Sequence, residues 1–290
     1  MNHYTLTERG LAPFDLYPYN PSKVAGLVFV VIFGVGAATH FVLMFPLRAW
    51  FFIPFILGCI GEAFGYYGRS WSHNNIRDGG PYLLQLMLIL GSAPLLAATV
   101  YMTLGRFARA LHAEQYTIMS VRWVTKIYVL IDIASFLCQM AGSAMQSSSD
   151  PSGIKLGQHI VIGGLIIQLI ALGWFTFETT ILHIRLNNGP TVITLKDPSI
   201  SWRPTLWTLR CVSVLIFIRS LYRLIEFTSG SNSALAKTEI YLYIFDAALL
   251  SVSAFLFVVI HPARLFRKLH RLALHLSDGE EDIMVLAERP

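Results

Sequence analysis

Eleven ionisable side chains interrupt stretches of the chain that are otherwise apolar: Glu62, Arg69, Lys126, Asp132, Glu178, Arg210, Arg219, Arg223, Glu226, Glu239 and Asp246. A charge in the middle of a membrane helix costs about 2.5–3.5 kcal/mol on insertion scales, so such groups face a partner or a cavity. Their spacing sorts them. Arg219, Arg223 and Glu226 stand at i, i+4 and i+7 and form one helical stripe, with Tyr222 beside it. Glu239, Tyr243 and Asp246 repeat the pattern, and so do Glu62, Tyr66 and Arg69. Three cations (Arg69, Arg219, Arg223) meet four anions (Glu62, Glu226, Glu239, Asp246). A set this close to balance predicts interhelical ion pairs around a polar cavity. Asp132 and the amides Gln85, Gln139 and Gln168 are further candidates for its lining. Two readings stand together here. The charges hold helices in register, and the cavity receives the polar or charged head of an amphiphile.

The elements that must position these groups are membrane helices. Of 290 residues, 54% are apolar and only 13% charged, about half the charged share of a soluble domain. That composition excludes a disordered chain, a collagen-like repeat and a coiled coil, and argues against an ordinary cytosolic enzyme. Seven segments are long enough to span the hydrocarbon: 24–45, 50–68, 82–105, 124–145, 157–182, 206–227 and 240–260. The expected fold is all-α, a seven-helix transmembrane bundle. Connections on the N-terminal side carry six Lys and Arg, and those on the other side twelve. The bias predicts an external N-terminus and a cytosolic C-terminus. Residues 1–23 are then an extracellular tail without a signal-type apolar stretch, and 24–261 the bundle. Residues 262–290 are a cytosolic amphipathic helix followed by an acidic tail. In that last helix Arg264, Arg267, Lys268 and Arg271 share one face, and Leu265, Leu269, Leu272 and Leu276 the other. The run Asp278, Glu280, Glu281, Asp282 follows. The basic residues are distributed for a membrane, not for nucleic acid. Cys59, Cys138 and Cys211 lie inside apolar runs without metal-ligand spacing and are expected to be small buried residues. Gly58, Gly61, Gly65 and Gly68 share a face suited to close helix packing. Pro94 is expected to kink the third span.

Several blocks then resemble the fungal seven-transmembrane RTA-like proteins, the lipid-translocating exporter family. They are Glu62-Ala-Phe-Gly65-Tyr66-Tyr67-Gly68-Arg69 on the second helix, and Gln85, Ala93-Pro94 and the run from Ala97 to Arg106 on the third. Asp132, Gln139 and Gly142 match on the fourth helix, and Gly164 with Gln168 on the fifth. Arg219-Ser-Leu-Tyr222-Arg223-Leu-Ile-Glu226 matches on the sixth. Glu239, Tyr243, Asp246-Ala247 and His261-Pro262 match on the seventh. The resemblance runs from Tyr17-Pro18 to Pro262. The sequence Ala141-Gly142-Ser143 departs from the Gly-x-Gly that the family often shows there.

The resemblance implies export or transbilayer movement of sphingoid long-chain bases or similar amphiphiles, with resistance to toxic compounds. It also implies, for at least one member, porphyrin uptake. A plasma-membrane location is expected, with membrane lipid or an amphiphile as ligand and no cofactor or metal. No phosphate-binding Gly-x-x-x-x-Gly-Lys-Ser/Thr loop occurs, so movement would be passive or ion-coupled. Asp132, Glu178 and Asp246 could then carry protons. The alternative reading is a lipid-sensing receptor acting on an unidentified cytosolic signalling partner, although the Asp-Arg-Tyr and Asn-Pro-x-x-Tyr switch motifs are missing. An enzyme is disfavoured, because no His-x-x-x-His pair or Gly-x-Ser-x-Gly elbow is present. A retinal protein is disfavoured because the seventh span holds no lysine.

Overall fold

The computed structural model describes residues 16–17, 19–74, 76–146, 151–191, 201–229 and 234–272. Among these residues there is no β-strand. Seven long helices follow in order: α1 (Lys23–Leu47), α2 (Ile53–Ser72), α3 (Gly79–Ala110), α4 (Val121–Gln146), α5 (Pro151–Asn188), α6 (Trp202–Ser229) and α7. The last runs through Glu239–Leu242, a π-helical turn Tyr243–Ala248 and Leu249–Val259. Local chemistry sets several ends. The Ser22 hydroxyl caps α1 by accepting from the Ala25 N–H at 3.3 Å. Arg48 ends it in the left-handed region at φ 50, while the Ala49 N–H reaches back to the Met44 carbonyl at 2.9 Å. Asp78 caps α3 through the Gly80 N–H at 3.0 Å.

Among the described residues six helices are long and apolar enough to cross a membrane, so the chain is an integral, multi-pass membrane protein. Large apolar side chains such as Val31, Leu130, Ile170 and Phe255 are exposed on the outer faces, where lipid replaces water. The seventh helix, α6, is 28 residues long but carries Arg203, Arg210, Arg219, Arg223 and Glu226, which lower its apolarity. Arg219 and Arg223 are buried inside the bundle and not presented to lipid. Two helices overrun the expected spans. α3 has 32 residues and α5 has 38. At 1.5 Å per residue α5 is about 57 Å long, well beyond a hydrocarbon core of about 30 Å.

Neighbours in sequence pack together from α1 to α7, and α7 closes back on α1. α3 lies inside, touching α2, α4 and α6. The glycine stripe of α2 is a packing face, since all four glycines abut α3. A Cβ on Gly68 would meet the Pro81 carbonyl at 3.0 Å and the Gln85 nitrogen at 3.1 Å, both unyielding backbone atoms. After a break at Ile260–His261 a further helix, α8 (262–272), turns along one end of the bundle. Leu265 and Leu269 are buried there, and Arg264, Arg267, Lys268 and Arg271 are exposed, as the amphipathic pattern predicts. Leu276 and the acidic run from Asp278 lie outside the described residues. One expectation is corrected: Cys59 is buried, but Cys138 is half-buried and Cys211 is exposed on the outer face of α6, because a small apolar thiol is as compatible with lipid as with the core.

Candidate functional site

The charged stripes of α2, α6 and α7 meet inside the bundle, in two layers. The first lies at the end where residues 16–22 pack. Here Arg69 is almost fully buried and its Nη2 lies 3.0 Å from Glu239 Oε1. The same guanidinium donates to the Tyr19 hydroxyl at 2.6 Å and to Gln85 Oε1 at 3.4 Å. Tyr243 donates to Glu239 at 3.0 Å, and so does the Ser22 N–H. The rings of Tyr17, Tyr19 and Tyr243 surround the guanidinium at 5.5–5.8 Å from its carbon. Tyr17 donates to Gln85 Oε1 at 3.1 Å and lies 2.9 Å from the Ser72 hydroxyl. Burial pushes the Tyr17 phenol up to about 12 and raises that of Tyr19, against the pull of Arg69.

The second layer is deeper. Glu62 precedes Arg69 by seven residues and Asp246 follows Glu239 by seven, which on a helix is roughly 10 Å of travel. Asp246 is fully buried and pairs with both Arg219 and Arg223. Arg223 also binds Glu226 Oε2 at 2.9 Å, and Arg219 donates to the Ile89 carbonyl at 3.1 Å, one turn before Pro94. Tyr222 donates to Glu226 Oε1 at 3.4 Å. Asp246 sits within the π-helical turn, a departure from regular helix that concentrates at functional sites. Glu62 is fully buried, and neither of its carboxyl oxygens has a hydrogen-bond partner among the described residues. The charges acting on it are those of Asp246, Arg219 and Arg223. Tyr66, one turn along α2, stacks on Phe33 and likewise leaves its hydroxyl unpartnered.

This arrangement differs from an open cavity. The inner side chains close on one another, and of the acids Glu226 and Glu239 are partly exposed, at 22% and 17%, while Glu62 and Asp246 are fully buried. The acids therefore form a ladder from a rim to a closed interior. Chemically it can hold a cation against Glu62 and Asp246, or pass protons between carboxylates.

Asp132, Gln139 and Gln168, expected in the same cavity, are elsewhere. They form a separate polar cluster between α3, α4 and α5. Tyr101 donates to Asp132 Oδ2 at 2.9 Å, Gln168 also bonds to Asp132, and Gln139 Nε2 donates to Gln168 Oε1 at 3.2 Å. Ser135 ties α4 to α5 by donating to the Gly164 carbonyl at 2.6 Å. Helix-face spacing groups residues within one helix, but it does not say which helices adjoin. Glu178 is apart again, accepting from the Met119 N–H at 3.0 Å and Tyr128 at 3.3 Å. The three acids read as proton carriers thus occupy three different places. Residues missed by the sequence reading are Tyr17, Tyr19, Tyr101 and Ser135. The first two precede α1, outside any span, where helix-face spacing does not reach.

With the geometry in place, similarity to known proteins decides the family. Residues 55–269 match the family described as "RTA1 like protein". The chain belongs to the RTA1-like family. It is 32% identical to "Protein RTA1" of Saccharomyces cerevisiae, over 92% of this chain and 90% of that one. It is 31% identical to "Protoporphyrin uptake protein 1" of the same species, over 83% and 91%. It is 26% identical to a yeast "Sphingoid long-chain base transporter RSB1", over 85% and 73%. No solved structure matches. The RTA1-like match spans α2 to α8 and so includes both charged layers, together with the separate Asp132 cluster.

Proposed function

We propose that this RTA1-like protein moves amphiphiles with a cationic head across the bilayer, the head passing along the acid ladder from Glu239 and Glu226 to Asp246 and Glu62. The observation that carries the reading is Glu62. Every other acid of the two layers has a guanidinium partner, whereas Glu62 is buried with both oxygens unpartnered among the described residues. A buried carboxyl group with no partner is costly to ionise, and an incoming ammonium offsets that cost. The apolar tail can stay in lipid beside the exposed outer faces. Sphingoid long-chain bases, the cargo named for one relative, have this form. We further propose that the end holding residues 16–22 faces outward and that the protein resides in the plasma membrane. The lysine and arginine bias supports that orientation, and an N-terminal tag accessible on intact cells tests it.

The test of function is transbilayer movement in liposomes containing the purified protein. A fluorescent sphingoid base and a fluorescent phospholipid are compared, with and without a pH gradient. Acceleration of the base over the phospholipid, abolished by Glu62→Gln in a protein that melts like wild type, is the expected result. No acceleration under either condition refutes translocation, and saturable binding without movement favours the lipid-sensing receptor.

A further inference from the structure

The opposite end of the bundle holds a second site, independent of the acid ladder. A cavity of about 420 Å³ lies where the α1–α2 joint, the last turns of α3 and helix α8 converge. Its basic residues are Arg48, Arg106, Arg267, His270 and Arg271, and among the described residues no acidic side chain lines it. Inside the bundle, buried arginines are neutralised by carboxylates; here four exposed guanidinium groups and an imidazole meet without one among the described residues. Two of them are held in place. Arg106 lies over the Phe51 ring, 4.6 Å from its centre. Arg267 donates to the Pro46 carbonyl at 2.7 Å, which fixes α8 against the end of α1. Arg48 occupies the left-handed region at φ 50, where glycine is the usual residue. A guanidinium is thus kept at the joint where the turn geometry favours a residue with no side chain.

The remaining wall is apolar: Leu47, Phe51, Ala263 and Phe266. Converging guanidinium groups match phosphate oxygens in geometry and charge. Four guanidinium groups, with no acid among the described lining residues, suit a dianion better than a singly charged phosphodiester. The apolar wall and the position at the end of membrane helices suit a headgroup still attached to its acyl chains, and not a free ion.

We propose that this cavity binds the phosphomonoester headgroup of a membrane lipid. The ligand docks α8 onto the ends of α1 and α3, and the site is separate from the transport ladder.

The test uses the full-length protein in detergent. Dioctanoyl phosphatidic acid is the phosphomonoester probe and dioctanoyl phosphatidylcholine the control, with inorganic phosphate as a third arm. Binding is read by native mass spectrometry. Phosphatidic acid is expected to bind roughly tenfold or more tighter than phosphatidylcholine, and the Arg106→Gln/Arg271→Gln double variant to lose that advantage. Equal binding of the two lipids overturns the proposal, as does an unchanged preference in the double variant. Inorganic phosphate binding as tightly as phosphatidic acid overturns the assignment to a lipid. If the double variant does not fold, the wild-type comparison of headgroups still decides. Transport of a sphingoid base by a folded double variant is expected to stay at the wild-type rate.

Discussion

Asp246 is the single anion shared by two buried arginines, and that asymmetry can be measured. Replacing it by Asn leaves Arg219 with the Ile89 carbonyl as its hydrogen-bond acceptor among the described residues, and Arg223 with the partly exposed Glu226. Removing one member of a buried ion pair costs about 3–5 kcal/mol, so Asp246→Asn belongs in that range. Arg219→Gln is milder. Asp246 keeps Arg223, and the loss approximates one charge-assisted hydrogen bond, about 1.5–3 kcal/mol. The double variant Asp246→Asn/Arg219→Gln removes both charges and leaves Arg223 with Glu226. Its cost should fall below the sum of the singles by about 0.5–3 kcal/mol. Equilibrium unfolding by SDS in mixed micelles, followed through the six tryptophans, gives all three values. A cost for Asp246→Asn no larger than that for Arg219→Gln would refute the shared-anion reasoning. So would additivity of the two within about 0.3–0.5 kcal/mol.

Three other outcomes follow from the geometry. Tyr17 has its phenol pushed up from 10 to about 12 by burial; its contribution is therefore complete below pH 10 and lost as pH rises through 12. The linked stability is up to roughly 3 kcal/mol. In a tyrosinate absorbance titration, Tyr17→Phe should remove a phenol titrating near pH 12, and loss of one titrating near 10 contradicts the docking of residues 16–22. A Cβ on Gly142 would lie 2.5 Å from the Gly157 carbonyl and 2.6 Å from Val161 Cγ2, so Gly142→Ala should push α4 from α5 and cost about 1–3 kcal/mol, seen as an earlier SDS midpoint. Tyr101→Phe takes the hydroxyl donor from buried Asp132 and should cost about 1–3 kcal/mol, whereas wild-type stability would mean the Asp132 cluster does not need it.

How legible this was depended on the kind of regularity involved. The helices were visible because twenty-residue apolar runs have one solution in lipid. The glycine face of α2 was visible because four small residues recur at helical spacing. Ion pairing between the charged stripes was anticipated from their near-balance, since opposite charges in a low-dielectric interior have few alternatives, but not which residues pair. The splitting of the site was not legible. Asp132, Gln139 and Gln168 belong to α4 and α5, and helical periodicity carries no information on which helices are neighbours. The π-helical turn at Tyr243–Ala248 left no mark either, because its residues Tyr-Ile-Phe-Asp-Ala-Ala read as ordinary helix. The closure of the cluster was also missed: a balanced set of charges is as compatible with contact pairs as with a solvated cavity.

The least apolar of the long helices, α6, has a consequence for assembly. Alone in lipid, α6 would expose Arg219 and Arg223, each costing about 2.5–3.5 kcal/mol at the bilayer centre. Their anion is Asp246, which lies on α7 and enters the membrane later in synthesis. Stable insertion of α6 should therefore depend on α7, with Asp246 as the link. A chain ending after Ser229 should leave its C-terminal tag on the same side of the membrane as the α5–α6 connection in a large fraction of molecules. The full chain should insert both helices, and Asp246→Asn should fall between the two. Protease protection of tags in microsomes measures this. If the truncated chain inserts α6 completely, the apolar residues of α6 suffice, and the buried ion pairs serve the folded bundle and not its assembly.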